Sequence, residues 1–225
     1  MSSQLKESQF SVLILNAPYL MTAQLSLPLH EIPPSLVDFY PDFLSQQEAD
    51  HLLAHSISLE WQHNTIRMFG KMLKLPRLEA MFGDSPEYRY LYSGSVELTA
   101  KEWTDPLNKL RDKVERATGF TYQVVIGNQY RNGREYIGYH SDNEPSLGKS
   151  PAIASISLGA TRIFKVKRRG KGHKPISFEL THGSLILMKP GCQETCIHAL
   201  MKTTKPVDVR VNWTFRPWLT NTTLT

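Results

Sequence analysis

NQYRNGREYIGYHSDNE, residues 128–144, holds the residue pair from which the rest of the chain can be read. His140 and Asp142 stand two apart in it, so an extended backbone sends both side chains off one face. A histidine and a carboxylate so placed supply two-thirds of the facial site that binds non-haem Fe(II) and leaves coordination positions open. The third ligand must come from elsewhere. His198, in the apolar-flanked segment CIHAL, is the first candidate, and His182 is its rival on residue type. An isolated His-x-Asp occurs by chance in many soluble proteins, so the pair gains weight only from its company.

That company is VRVNWTFRP at 209–217. Val209, Val211, Trp213 and Phe215 alternate with Arg210, Asn212, Thr214 and Arg216, which is the period of a strand with one packed face. A solvated polar face is the plain reading of the second set. A carboxylate clamp is the functional one, because Arg offers paired donors to a carboxylate and a dicarboxylate co-substrate needs cations to fix it. Asn128 and Tyr130 add neutral donors on another predicted strand edge.

Working outward, residues 1–36 read as a loosely structured arm with one short strand, broken by Pro18, Pro28, Pro33 and Pro34. A helix follows PDFL, with Ser45 and Glu48 as a capping box and Ala49, Leu52, Leu53 and Ile57 as its apolar stripe. The segment IRMFGK at 66–71 reads as a hairpin or exposed loop. A second helix is predicted with Asp105 as cap, Pro106 in the first turn, Leu107, Leu110, Val114 and Ala117 on one side, and Gly119 as terminator. Period two then begins at Phe120, with further strand candidates at 152–158, 162–167, 176–180, 184–188, 196–200 and 207–215. Helices first and short strands afterwards predict an α+β domain with two facing sheets.

Composition sets outer limits. At 225 residues with formal charge +5, the chain can bury one substantial core. Residues 1–66 hold one Lys, no Arg and seven acids, and residues 67–225 hold the other 25 basic residues and 14 acids. The later part is therefore the one that could attract a polyanion. The run RIFKVKRRGKGHKP at 162–175 has seven Lys/Arg and no acid; it is either a solvated hairpin or a phosphate-contacting surface. Cys192 and Cys196 do not make a secreted disulfide framework, and no stretch of about 18 apolar residues occurs. The expectation is an intracellular protein with no membrane contact.

Together these elements resemble the AlkB-type 2-oxoglutarate- and Fe(II)-dependent dealkylases that repair alkylated nucleobases. The matching pieces are Asn128-x-Tyr130, His140-x-Asp142, Gly159-Ala-x-Arg162, His182-Gly-Ser-Leu, His198 and Arg210-x-Asn212-x-Thr214-Phe215-Arg216, over about residues 60–217. The likeness is nearest the animal homologues that act on DNA. It implies a double-stranded β-helix, or jelly roll, buttressed by N-terminal helices, with residues 1–36 as an arm, 37–217 as the dioxygenase domain and 218–225 as a tail. Nucleotide recognition would fall around 61–95.

The resemblance also implies roles. His140, Asp142 and His198 would ligate Fe(II), and His182 would instead open a structural strand. Arg210, assisted by Asn128 and Tyr130, would hold the distal carboxylate of 2-oxoglutarate; Arg216 and Asn212 would hold its chelating end, with Thr214 in support. Tyr92 and His140 would sandwich the target base, with Ser93 and Glu144 at its edge. Met68 and Phe69 would fill the gap left by a flipped base, and Arg77 and Arg162 would join the substrate contacts. Lys165, Lys167, Arg168, Arg169 and Lys171 would meet phosphates. The activity implied is oxidative demethylation of bases such as N1-methyladenine and N3-methylcytosine in DNA, consuming dioxygen and 2-oxoglutarate and releasing succinate, carbon dioxide and formaldehyde. RNA demethylation, protein hydroxylation by the same chemistry and a silent module binding modified nucleic acid remain open. A monomer, nuclear in a eukaryote and in the cytoplasm and nucleoid of a prokaryote, is expected.

The clearest departure from the family pattern is QETCIH before His198. Relatives often carry an aromatic near Thr195–Cys196, where this chain has a smaller wall with a thiol.

Overall fold

The computed structural model describes residues 36–68, 70–92 and 96–219. The expectations for most of the N-terminal arm, for Phe69 and Ser93, and for residues 220–225 lie outside the described residues, as does the side chain of Met68.

In chain order, β1 (Val37–Tyr40) leads into α1 (Gln46–Ser58), a hairpin of β2 (Thr65–Met68) and β3 (Lys71–Lys74), and then β4 (Leu78–Gly83). A second hairpin, β5 (Arg89–Tyr92) with β6 (Val96–Thr99), precedes α2 (Asp105–Thr118). The remainder is strand: β7 (Val124–Tyr130), β8 (Ile137–His140), β9 (Ile153–Gly159), β10 (Arg162–Arg168), β11 (Ile176–Leu180), β12 (Leu185–Met188), β13 (Cys196–Leu200) and β14 (Arg210–Arg216). One helical turn, α3 (Cys192–Thr195), stands just before β13.

Two antiparallel sheets carry the domain. The larger has the order β1-β12-β9-β14-β7-β4, and the smaller β11-β10-β13-β8. β14 lies between β9 and β7, so its two polar-face neighbours are set by register: Arg210 pairs with Tyr130 and Gly159, and Asn212 with Asn128 and Ser157. Gly159 is obligatory at that corner, since its φ is +82° and a Cβ there would stand 2.3 Å from the Val209 carbonyl oxygen.

The helices buttress the larger sheet from one side. α1 starts on the predicted capping box: Ser45 Oγ accepts from the Glu48 amide at 3.3 Å, and Glu48 Oε2 accepts from the Ser45 amide at 2.8 Å. α1 buries Ala49 and Leu52 and α2 buries Leu107, Leu110 and Val114, in one apolar cluster with Ile156 and Leu158 of β9 and Val211, Trp213 and Phe215 of β14. Each large side chain so removed from water contributes about 1.5–3 kcal/mol, as an upper estimate. Trp213 anchors this layer; its indole Nε1 donates to Ser56 Oγ at 2.8 Å. A second apolar cluster joins the two sheets, with Ile153, Ile186 and Met188 from the larger and Phe164, Val166 and Phe178 from the smaller.

Several local expectations need correction. Ile57 is 48% exposed and Ala117 is exposed, so neither belongs to its helix's buried stripe; in the last turn of α1 it is Ser56, bonded to Trp213, that faces the sheet. Thr104, not Asp105, occupies the cap position of α2, without a side-chain capping bond, and Asp105 is the first helical residue. The strand foreseen from Phe120 begins at Val124, and the one foreseen from 207 begins at Arg210, where pairing with Gly159 and Tyr130 starts.

Candidate active site

The register of β13 against β8 places His198 directly opposite His140. Asp142, two residues past His140 and just beyond the end of β8, completes a cluster in which one ligand atom from each residue lies within 4.8 Å of the others. His140 Nε2 and His198 Nε2 are each 3.9 Å from an Asp142 oxygen. The other nitrogen of His140, Nδ1, donates to the Gly138 carbonyl at 2.8 Å, which orients the ring with Nε2 toward the cluster. His182 is elsewhere: its Nδ1 accepts from the Gly159 amide at 2.8 Å and its Nε2 donates to Asp50 at 3.2 Å.

The charge states suit a metal. Burial opposes ionisation of Asp142, but Arg216, His198 and His140 outweigh it and hold the carboxyl down at about 2. Burial, reinforced by His140, pushes His198 down to about 3 despite the pull of Asp142. At neutral pH the cluster therefore presents a carboxylate and a neutral imidazole, the forms that coordinate divalent cations.

Beside the cluster lies the polar face of β14. Arg210, Asn212, Thr214 and Arg216 are all at least nine-tenths buried, so a solvated face is ruled out. Arg210 Nη2 donates to Ser157 Oγ at 2.8 Å and to Asn212 Oδ1 at 2.9 Å. Asn212 Oδ1 also accepts from Ser155 Oγ, and its amide donates to Thr214 Oγ1 at 2.6 Å. Arg216 Nη2 donates to Asp142 Oδ1 at 3.1 Å. Asn128 and Tyr130, from β7, close the same inner cavity, which also reaches the three clustered residues.

Among the described residues, three donors in this cavity wall lack partners: Nε of Arg210 and both Nε and Nη1 of Arg216. Buried unpaired guanidinium donors are costly unless an anion meets them. Two arginines, one carboxylate and two histidines fit a divalent cation with a dicarboxylate, which together would bring no net charge. Burial lowers Arg210 to about 10, still fully charged at neutral pH.

An outer cleft of about 480 Å³ opens on His140, Asp142 and Arg216. Tyr92 lines it, with its hydroxyl donating to Glu79, and Glu79 is bound in turn by Arg77 at 2.8 Å and by Asn64 at 2.9 Å. Glu144 Oε1 accepts from Tyr90 at 2.5 Å, and its Oε2 is buried without a partner among the described residues. Arg162 is not brought into this cleft: its guanidinium donates to the carbonyls of Asn132, Gly133, Glu135 and Met201, tying two loops to β10. Lys165, Lys167, Arg168, Arg169 and Lys171 follow one another along β10 and its turn, but Arg169 is partly committed, donating to Ser141 Oγ and to the Gln193 carbonyl.

Residues that the sequence reading passed over complete the site. Ser155 and Ser157 support Asn212 and Arg210; their alternation with Ala154, Ile156 and Leu158 in β9 was the available signal. Tyr90 supports Glu144 and stacks near Arg216, with its ring centre 5.5 Å from that guanidinium carbon. Gln193 accepts from the Asp142 amide at 2.9 Å from α3, the unusual segment before His198. Cys192 and Cys196 are buried free thiols flanking it.

A pair of facing antiparallel sheets that brings a His-x-Asp strand end, a distant His and an inward arginine row together defines a class, and the chain belongs to it: the 2OG-Fe(II) oxygenase superfamily, whose family model matches residues 37–216. His140, Asp142 and His198 are its Fe(II) triad, and 2-oxoglutarate is its co-substrate. Among curated relatives, human "alpha-ketoglutarate-dependent dioxygenase alkB homolog 3" is 33% identical over 191 residues, 81% of this chain and 66% of that protein. Mouse "DNA oxidative demethylase ALKBH2" is 36% identical over 158 residues, 67% of this chain and 65% of that protein. The chain thus spans just under two-thirds of the length of these relatives. A solved structure, that of OsALKBH1, has the same fold with a TM-score of 0.56 and 16% identity, covering 80% of this chain and 97% of its own. Among the described residues no helix is long and apolar enough to cross a membrane.

Proposed function

We propose that the protein oxidatively demethylates N-alkylated nucleobases, such as N1-methyladenine and N3-methylcytosine, in DNA. The observation that carries this is the outer cleft: an aromatic- and acid-lined pocket that ends on His140 and Asp142 of the Fe(II) triad. When bound, Fe(II) with 2-oxoglutarate and dioxygen supplies the oxidation of an N-methyl group, giving succinate, carbon dioxide and formaldehyde. The chain's own residues do the aiming. Arg210, with Asn128 and Tyr130, holds the distal carboxylate of 2-oxoglutarate, and Arg216, Asn212 and Thr214 hold the chelating end. Tyr92 and His140 bound the base plane. The unpaired Glu144 Oε2 is an acceptor for an exocyclic amine, kept in place by Tyr90 on the other oxygen.

A base inside a duplex cannot reach a buried metal, so it is flipped out. In this reading Met68 and Phe69 replace it in the stack, Arg77 borders the cleft, and Ser93 joins the contacts to the base edge. Lys165, Lys167, Arg168, Arg169 and Lys171 contact phosphates. Residues 37–217 act as one double-stranded β-helix domain, the 61–95 segment supplies nucleotide recognition, and the enzyme works inside the cell as a monomer. The names of the DNA-demethylase relatives support this reading.

The test is a panel of oligonucleotides, DNA and RNA, carrying N1-methyladenine, N3-methylcytosine or C5-methylcytosine, incubated with Fe(II) and 2-oxoglutarate. Loss of the ring-nitrogen methyl groups, read by mass and greater in DNA, is expected. No loss from any N-methylated strand, with succinate formed instead on a peptide or free metabolite, would overturn it.

A further inference from the structure

Two tyrosine–lysine pairs stand on β8 and the residue before it. Lys202 Nζ lies 4.1 Å from the centre of the Tyr136 ring, and Lys167 Nζ lies 4.5 Å from that of Tyr139. Both tyrosines line the outer cleft, yet neither is needed to hold the metal, the co-substrate or the target base. Tyr139 is 40% exposed.

The register shows where that exposure points. In β10, Phe164 and Val166 are buried in the cluster between the sheets, so the alternate residues Ile163, Lys165 and Lys167 turn outward. Lys167 pairs with Ile197, while the neighbouring His198 faces the metal site. Tyr139, beside Lys167, therefore stands where the outer face of the smaller sheet meets the lip of the cleft. Ile163 on the same face is 36% exposed. The acid on this face is Glu179, paired with Ile163 at the far end of β10. The strand leads instead into the acid-free run ending at Pro175.

One exposed tyrosine is ordinary. Repetition of the pair, its place at the cleft lip and its continuity with the basic run are not accounted for by chance exposure. A ring with an ammonium against it offers a flat apolar surface with positive charge at its margin. The ligand that matches has planar faces joined by regularly spaced anions, which describes single-stranded nucleic acid. A duplex brings phosphates but keeps its base faces stacked, so it would leave the ring nothing to stack on.

We propose that the outer face of the smaller sheet is a track for the single strand flanking the target base, with Tyr139 stacking a neighbouring base and Lys167 and Lys165 meeting the phosphates beside it. This rests on the demethylase reading and adds to it the course of the strand outside the cleft.

The test uses the Fe(II)- and 2-oxoglutarate-loaded enzyme and N3-methylcytosine strands of about nine nucleotides, within the span of known single-strand sites. 2-Aminopurine is placed in turn at each position flanking the lesion. Wild type and Tyr139→Phe should quench its fluorescence at one flanking position. Tyr139→Ala should lose that quench and bind about fivefold to tenfold more weakly, the lower range for loss of one base–aromatic stack. Its KM should rise with kcat retained. Tyr139→Ala with unchanged quench and affinity would overturn the track while leaving demethylation standing. An equal loss on the matched duplex, whose flanking bases stay paired, would also overturn it. Failure of wild type to demethylate any strand would overturn both readings together.

Discussion

Arg216 donates to Asp142 at 3.1 Å, so an arginine of the co-substrate wall and a ligand of the metal share one buried ion pair. The Asp142 carboxylate keeps the Arg216 charge in place against the cost of burial, and Arg216 does the same for Asp142. Among the described residues Arg210 has no such link; it donates to Ser157 and Asn212. The two arginines should therefore fail differently. Arg210→Ala should raise the KM for 2-oxoglutarate with metal affinity near normal, whereas Arg216→Ala should weaken both. Breaking a buried ion pair costs about 3–5 kcal/mol, part of it from the orphaned partner. Metal titration followed by calorimetry, beside co-substrate kinetics, checks this; identical profiles for the two variants would contradict it.

Metal occupancy gives a second expectation. His140→Ala, Asp142→Ala and His198→Ala should each lose stoichiometric Fe(II) and remain folded. His182→Ala should keep the metal, because both of its ring nitrogens serve Gly159 and Asp50 at a different place. Its cost should appear as lowered thermal stability. Iron content by elemental analysis decides; retained iron in His198→Ala would remove that residue from the triad.

A third expectation concerns packing. A Cβ on Gly127 would stand 2.4 Å from the Trp213 ring, in the apolar cluster that joins both helices to the larger sheet. Gly127→Ala should destabilise by about 1–3 kcal/mol or more, since a crowded core must shift side chains and backbone. Denaturant unfolding measures it. A midpoint equal to wild type would show that Trp213 relaxes freely, contrary to its complete burial and its bond to Ser56.

These positions also show what the sequence could and could not convey. Period two in 209–217 placed Arg210, Asn212, Thr214 and Arg216 on one face, and the His-x-Asp spacing needed only an extended backbone. Whether that polar face met water or a cavity was a question of tertiary packing. It was settled by the smaller sheet, whose Ile137, Phe164, His198 and Leu200 close the same cavity over the polar face of β14, and no local pattern carries that. Gln193 and Tyr90 were hidden for the same reason, since their partners Asp142 and Glu144 are distant along the chain. Arg162 belonged to the family pattern, yet its guanidinium serves backbone carbonyls, a role that only loop positions disclose.

Acid stability is the fourth expectation. Burial holds His198 neutral down to about 3, below its ordinary 6.5. Between those values the unfolded chain binds a proton there that the folded chain does not, so stability falls as pH drops from 6.5 toward 3. The slope from one such group is about 1.4 kcal/mol per pH unit. Urea midpoints of the metal-free protein at neutral and acid pH should fall accordingly, and His198→Gln should flatten the decline. An unchanged decline in that variant would place the lability elsewhere.

In the proposed reaction the cleft aims a base methyl at a 2-oxoglutarate-consuming centre. The most direct measurement counts succinate formed and N3-methylcytosine restored to cytosine in one reaction with a single-stranded oligonucleotide. The prediction is one succinate for each base restored, with little succinate from the unmethylated strand. Succinate released at the same rate with or without the methylated base, and the methyl group left in place, would contradict it.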